Sequence, residues 1–383
     1  MDILCLTHGD GANRNFQKHT NTLKFGGHKV SVVAWDRLRN HKGTSNGNGI
    51  PHRFIMRGGG FQNKFLAFWY PLWIVRLTLF LLSKRTDLIW ASQFATAFPA
   101  ALARLYTGNR FVYCIHDNLC LSYRIPVITD TIFRWLDKWT IRQASAVIVP
   151  NAHLVEKHAE PYEHKFRVFP NSPSLKKMPR DKGKNDKQPF CVYVNGSLWN
   201  TRGIEVLLEA AKQVPECRIV IAGQLPGKGI EYAIHSNRQV DYRGWLDHED
   251  ALRLYGASKA VFAFYDPAIP INVCTSPTKF YEAMLMGKPV IINSEAHISE
   301  QVREWKTGYT CGYHDIKGLA EILHEIANNP NEAERKGAFA RQLYEKKFAW
   351  EFFEPKLLET VRSLGIEGKL QKGHDDSTIC DGP

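Results

Sequence analysis

In TSPTKFYEAMLMGKP, residues 275–289, a cation and an acid stand three residues apart, Lys279 and Glu282, directly after Ser276, Pro277 and Thr278. Ser276 suits an N-cap and Pro277 the first position of a helix. A lysine in the first turn opposes the helix dipole, where a plain structural helix would carry Asp or Glu. A phosphate held between the free N–H groups and Lys279 removes that conflict. Glu282 lies one turn on, placed to accept hydrogen bonds from two sugar hydroxyls. The competing reading is a Lys–Glu pair on the helix surface.

Three other stretches carry comparable chemistry. In VYVNGSLWNTRGIEVLLEA, residues 192–210, a strand ends at Asn195 and Gly196, and Arg202 with Gly203 opens a helix. Arg202 can grip phosphate oxygens with two parallel bonds, and with Lys279 it would neutralise a diphosphate; an arginine solvated at a loop end is the alternative. The pattern G-x-x-x-x-G-K-[ST] is absent. In YCIHDN, residues 113–118, His116 and Asp117 follow a strand, either at a ligand or as a structural cap. In THGDGANRN, residues 7–15, Gly9 and Gly11 allow close backbone approach to a ligand. Arg14 stands where the dinucleotide fingerprint needs glycine, which argues against a nicotinamide or flavin enzyme.

The elements that must position these residues alternate between short apolar runs and helical stretches, the pattern of parallel sheets with helices on both faces. In the first half, strands are expected at 3–7, 30–35, 88–91, 111–115, 146–149 and from 166. Helices are expected up to Gly26, at 123–143 and at 151–159. A lysine-rich stretch, SLKKMPRDKGKNDKQP, has linker composition. A second series follows: strands at 190–196, 217–223, 240–244, 260–265 and 289–293, and helices at 203–214, 248–258, 277–286, 316–328, 331–347 and 350–364. The fold class is therefore α/β, two Rossmann-like domains facing a cleft. Their bounds are 1–172, a linker at 173–189, 190–348, a helix at 349–366 crossing back, and a disordered tail at 367–383. Ligands bind at the carboxyl ends of strands in such sheets.

Charge is distributed unevenly. Residues 1–170 hold 22 Lys and Arg against 10 Asp and Glu, so the entire net charge of +12 lies there and the rest of the chain balances. A one-sided basic field suits a diphosphate-bearing substrate or an anionic membrane surface. Nucleic acid is set aside, since no helix-turn-helix, zinc or RNP pattern accompanies the charge. The eight cysteines include no C-x-x-C pair, which fits reduced thiols in the cytoplasm, and no metal site is expected. The chain reads straight into a strand, and no secretory signal is expected. FLAFWYPLWIVRLTLFLL, residues 65–82, carries Arg76 as its single charge. Pro71 and Arg76 argue against a membrane span, leaving a helix buried under a sheet, a helix dipping into a membrane interface, or one face of each.

In their order along residues 2–365, GGHKVSVVAWDR, RVFPNSP, NGSLWNTRGIEVLLEA, IVIAGQ, YRGWL, SPTKFYEAMLMGKPVII and FAWE resemble the retaining glycosyltransferases of family 4, which have the GT-B fold. The resemblance implies that Lys279 and Arg202 hold the donor diphosphate, with Ser276, Thr278 and Gly196 at the same turns, and that Glu282 takes the ribose or an equivalent hydroxyl pair. Gly9 and Gly11 would lie near the donor phosphates and acceptor, and His116 beside the transferred sugar. The loop after Gly223 and the segment from Tyr242 to Trp245 would flank the base. Two positions depart from the family pattern: Cys274 replaces the first of two glutamates, and Ser197 replaces an arginine.

The expected partners are a nucleotide-sugar donor and a glycan or polyprenyl-diphosphate-linked acceptor at the inner face of the membrane. No cofactor is required beyond the donor, which is a substrate. Two other readings share these residues: a nucleotide-sugar 2-epimerase, which needs no acceptor, and a degenerate scaffold without turnover.

Overall fold

The computed structural model describes residues 1–11, 13–39, 45–46, 49–60, 66–116, 127–156, 160–178, 190–225 and 228–376. Asp117 and residues 123–126, 157–159, 179–189 and 377–383, all covered by expectations above, lie outside the described residues. By its contacts the chain divides into two compact units, Met1–Phe169 with Phe353–Pro383, and Pro170–Phe352.

The first unit is built on a sheet of β1 (Asp2–Thr7), β2 (Lys29–Asp36), β3 (Ser45–Asn46), β4 (Ile50–Arg57), β5 (Leu88–Ser92), β6 (Phe111–Cys114), β7 (Ala146–Val149) and β8 (Phe166–Val168). Its order is β3-β4-β2-β1-β5-β6-β7-β8, parallel except between β3 and β4. The central strands are continuous apolar runs because both faces are covered. On these faces lie α1 (Arg14–Phe25), α2 (Leu66–Leu82), α3 (Phe94–Thr107) and α4 (Val127–Gln143). The steps from β4 to β5, β6 and β7 all run in one direction across the sheet. Right-handed crossovers therefore place α2, α3 and α4 in one layer, and α3 packs against both of the others.

Trp73, Leu77 and Leu81 bury one face of α2, and Trp73 stacks on Trp35 at 5.5 Å. The opposite face of α2 is exposed, so the buried-helix expectation holds for half its surface. Among the described residues no helix is long and apolar enough to cross a membrane.

The second unit has a six-stranded parallel sheet of β9 (Cys191–Ser197), β10 (Arg218–Gln224), β11 (Val240–Tyr242), β12 (Ala260–Phe262), β13 (Val290–Asn293) and β14 (Gly308–Cys311), in the order β11-β10-β9-β12-β13-β14. Alternate residues feed two cores: Val192, Val194 and Phe262 point to one face, Tyr193 and Val261 to the other. The helices are α5 (Ile204–Ala211), α6 (Lys228–Ser236), α7 (His248–Ala257), α8 (Thr278–Leu285), α9 (Ile298–Glu304), α10 (Ile316–Asn328), α11 (Pro330–Leu343) and α12 (Trp350–Asp376).

From Phe353 onward α12 belongs to the first unit, where Leu358 packs on Gly26 and Arg110 donates to the Leu364 carbonyl. It runs to Asp376, into the stretch expected as a disordered tail. Sequence patterns did not single out β4, β14, α3, α6 or α9. In β4, IPHRFIMR interleaves cations with apolar residues, and α3 has Pro99 in its interior.

Candidate active site

The second sheet reverses its strand order between β9 and β12, so the loops leaving these strands diverge and open a crevice at the carboxyl edge. One loop carries Gly196 to Arg202, and the other leads into α8. Three glycines shape the edge: Gly196 at φ 94°, Gly203 at φ 64° and Gly223 at φ 148°. Gly223 pairs with Gly196 across the β9–β10 ladder, and a Cβ on it would fall 1.9 Å from the Gly196 carbonyl oxygen. The Tyr242 hydroxyl donates to the Gly223 carbonyl at 2.8 Å, bracing this turn from the next strand, and Trp245 beyond it is 77% exposed.

Lys279 reaches this edge from the first turn of α8, with its Cε beside Gly196. Burial and the neighbouring Arg202 guanidinium push the Lys279 ammonium down to about 7, and Glu282 partly opposes them. Arg202 lies over the Tyr265 ring at 4.6 Å and its Nη1 donates to Asn272 Oδ1 at 3.4 Å, so it is fixed in place instead of solvated at a loop end. Among the described residues, neither Arg202 nor Lys279 comes within salt-bridge distance of a carboxylate.

Glu282 is buried, which removes the surface-pair reading. The Tyr255 hydroxyl lies 2.8 Å from Glu282 Oε2 and 3.1 Å from the Asn195 side chain, and His248 Nδ1 stands 3.6 Å from Glu282 Oε1. Burial, with Glu282 adding to it, holds the Tyr255 phenol well above its ordinary range, so it remains a donor.

Ser276 is not the cap. The helix begins one residue later than expected, with Pro277 as N-cap and Thr278 as its first residue. The Ser276 Oγ pairs with the Tyr281 hydroxyl at 3.1 Å, and its carbonyl accepts from Asn171 Nδ2. The Tyr281 hydroxyl, five residues along the helix, draws Ser276 away from the first-turn N–H groups. Cys274, which stands in place of the first of the two family glutamates, is buried, and Ser197 ends β9.

In the first unit the order reverses between β1 and β5. Gly9 and Gly11 lie in the loop after β1, Gly11 at φ 81°, and a Cβ on Gly9 would meet nothing within 4 Å. His116 follows β6. Among the described residues its Nε2 is buried without a hydrogen-bond partner, and burial, then Lys18 and His8, hold the imidazole down at about 4. The ring is therefore neutral, able to donate or accept at that nitrogen. His8 Nδ1 is likewise buried and unpartnered.

The residues missed from sequence are those that position others: Tyr255, His248, Asn195, Tyr265 and Asn272. Nothing in HEDALRLYGAS marks Tyr255 as a hydroxyl for an acid 27 residues further on.

Residues 175–343 match the family described as Glycosyl transferases group 1, and residues 10–172 match the Glycosyl transferase 4-like domain. Glycogen synthase of Mycobacterium tuberculosis is 23% identical over 70% of this chain and 67% of its own. Alpha-D-kanosaminyltransferase of Streptomyces kanamyceticus is 21% identical over 71% of this chain and 75% of its own. Among solved structures, sucrose-phosphate synthase from Thermosynechococcus elongatus superposes with a TM-score of 0.79 at 18% identity, covering 95% of this chain and 99% of that one. The Anabaena protein HepE in complex with UDP-glucose gives a TM-score of 0.72 at 18% identity, covering 95% and 100%.

Proposed function

The chain belongs to the group 1 glycosyltransferases and has their GT-B fold, and from that premise we propose that it moves a sugar from a nucleotide diphosphate to a glycan or polyprenyl-diphosphate-linked acceptor, with retention of anomeric configuration. The observation that carries this reading is Lys279 at the Gly196 turn under the charge of Arg202, with neither cation within salt-bridge distance of a carboxylate among the described residues. Two cations repel each other unless an anion completes the site, and a diphosphate has the charge and span to do so.

Arg202, Lys279 and the first turns of α5 and α8 then stabilise charge on the departing diphosphate. Glu282, held by Tyr255, accepts from the donor's paired hydroxyls. The sugar C1–O bond to the β-phosphate breaks while the acceptor oxygen bonds to C1 on the same face. The acceptor proton passes to the leaving phosphate oxygen. Neutral His116 hydrogen-bonds a hydroxyl of the transferred sugar. The donor is a substrate, and no further cofactor enters.

UDP is the first base to try, because HepE was solved with UDP-glucose. The named relatives are transferases, which favours transfer over 2-epimerisation or a silent scaffold. The basic first unit suits a lipid-linked acceptor and a peripheral place on the inner membrane face, in polysaccharide or glycoconjugate synthesis.

The test incubates the purified protein with UDP-, GDP- and dTDP-sugars and a polyprenyl-diphosphate-linked acceptor. Release of the nucleotide diphosphate and an NMR assignment of the new anomeric centre are expected to show retained configuration. No release with any donor, or an inverted product, overturns the reading.

A further inference from the structure

The outward face of α2 is the feature of the first unit that donor binding leaves unused. Phe68, Leu72, Val75, Leu79 and Leu82 recur at steps of four and three residues and are between 40% and 76% exposed. They stand opposite the buried Trp73, Leu77 and Leu81, so packing under the sheet accounts for one side of the helix alone. In the same helical layer α4 carries a second exposed set at the same steps, Ile128, Ile132 and Trp135. Apolar surface repeated in this way on outer helices marks a contact surface.

The rim identifies the occupant. Past the carboxyl end of α2 opens a cavity of about 550 Å³ whose lining includes Phe80, Arg53, Lys84 and Arg85. Arg53 and Lys84 stand 5.1 and 5.4 Å from the centre of the Phe80 ring. Among the described residues, none of the three cations reaches a carboxylate; Asp2, the acid in the lining, pairs with Lys29 at 3.4 Å. An apolar stripe interrupted only at its flank by Arg76, with unpaired cations at its end, is complementary to a bilayer surface: acyl chains meet the stripe and phosphates meet the cations. The cavity opens beside Asp2 and Pro51, at the amino ends of β1 and β4, so its occupant does not compete with ligands at the carboxyl edge, where Gly9 and His116 lie.

We propose that α2 lies flat in the surface of an anionic bilayer, with its stripe at the acyl boundary and the Arg53–Lys84–Arg85 cavity holding a lipid headgroup phosphate. This contact rests on the membrane-linked acceptor proposed above for its purpose, but it is read independently of sugar transfer.

The experiment is co-sedimentation of the full chain with phosphatidylglycerol-rich vesicles and with pure phosphatidylcholine vesicles, alongside light scattering in lipid-free buffer. Binding to the anionic vesicles is expected, with little to the neutral ones. L72D/L79D should abolish it, and R53E/K84E/R85E should weaken it by at least about tenfold. Donor hydrolysis should stay unchanged in both variants, because these residues lie away from the carboxyl edges. Arg53 and Arg85 of the second variant are exposed and Lys84 is half-buried, so it tests the contact even where the first fails to fold. Absence of vesicle binding, equal binding by the charge-reversal variant, or a lipid-free dimer dispersed by L79D overturns the proposal. The last outcome assigns the stripe to a second copy. Vesicle binding without any sugar transfer would sink the catalytic reading and leave this one standing.

Discussion

Lys279 lies against the backbone of Gly196: a Cβ built on that glycine would come 3.1 Å from Lys279 Cε and 3.5 Å from its Nζ. The bare backbone at the end of β9 thus gives the lysine its path to the strand edge. Gly196→Ala keeps the cation but displaces it, and adds strain at φ 94°. Donor affinity should fall by about tenfold, a loss that about 1.4 kcal/mol of displaced charge accounts for. Calorimetric titration with UDP checks this; unchanged affinity would show that the contact does not set the position of the ammonium.

The lowered Lys279 value, about 7, makes donor binding depend on pH. Above that value the free lysine is mostly neutral, and a bound diphosphate raises its pKa again. Binding at about pH 8 should therefore take up close to one proton, and affinity should decline by up to about tenfold per pH unit above 7. Calorimetry in two buffers of different ionisation enthalpy reads the uptake, and Lys279→Met should abolish it. Without ligand, the lowered value disfavours the protonated folded form, so this group's contribution to stability rises as pH climbs from about 7 towards 10.5.

Glu282 depends on Tyr255 for its orientation, at 2.8 Å. Tyr255→Phe leaves a buried carboxylate short of a donor and should destabilise the fold by about 1–3 kcal/mol. Weaker binding should also be larger for UDP, which has ribose hydroxyls, than for inorganic diphosphate. Urea unfolding and competition binding separate the two effects, and equal losses for both ligands would detach Glu282 from the hydroxyls.

Gly223→Ala meets the Gly196 carbonyl oxygen at 1.9 Å from a φ of 148°. Overpacking and backbone strain together should cost about 2–4 kcal/mol, read as a lower urea midpoint.

These relationships differ in how visible they were in the sequence. The alternating runs placed most strands, since a parallel strand covered on both faces must be apolar throughout, as LIWAS and AVIV are. Lys279 stood out because a cation in a first helical turn is locally unfavourable, and Arg202 because a glycine and a new helix follow it. The cap assignment failed at Ser276 because Tyr281 offered its hydroxyl a partner that only the folded helix creates. Tyr255, Tyr265 and Asn272 read as ordinary core or loop residues; their work is to fix Glu282 and Arg202 from other elements, and such pairing has no local pattern. The two faces of α2 could not be told apart by composition because both are apolar.

His116 belongs to the first unit and Arg202 and Lys279 to the second, so on the proposed function substitution at His116 should divide binding from turnover. His116→Phe should leave the Kd for UDP within about twofold, because nothing in the Lys279–Arg202 site changes. It should lower kcat by about a hundredfold or more, on the scale of losing one polar contact that orients the reacting sugar. Because burial and Lys18 hold the imidazole down at about 4, it is neutral through the working range, and the kcat profile should show no step from this residue between about pH 5 and 8. Such a step present in the wild type and absent in His116→Phe would mean that the ring titrates and acts as an acid or base. A parallel loss of UDP affinity would instead place His116 at the nucleotide. Asparagine at 116 retains a neutral donor and acceptor of shorter reach, so it should recover part of the turnover that phenylalanine loses.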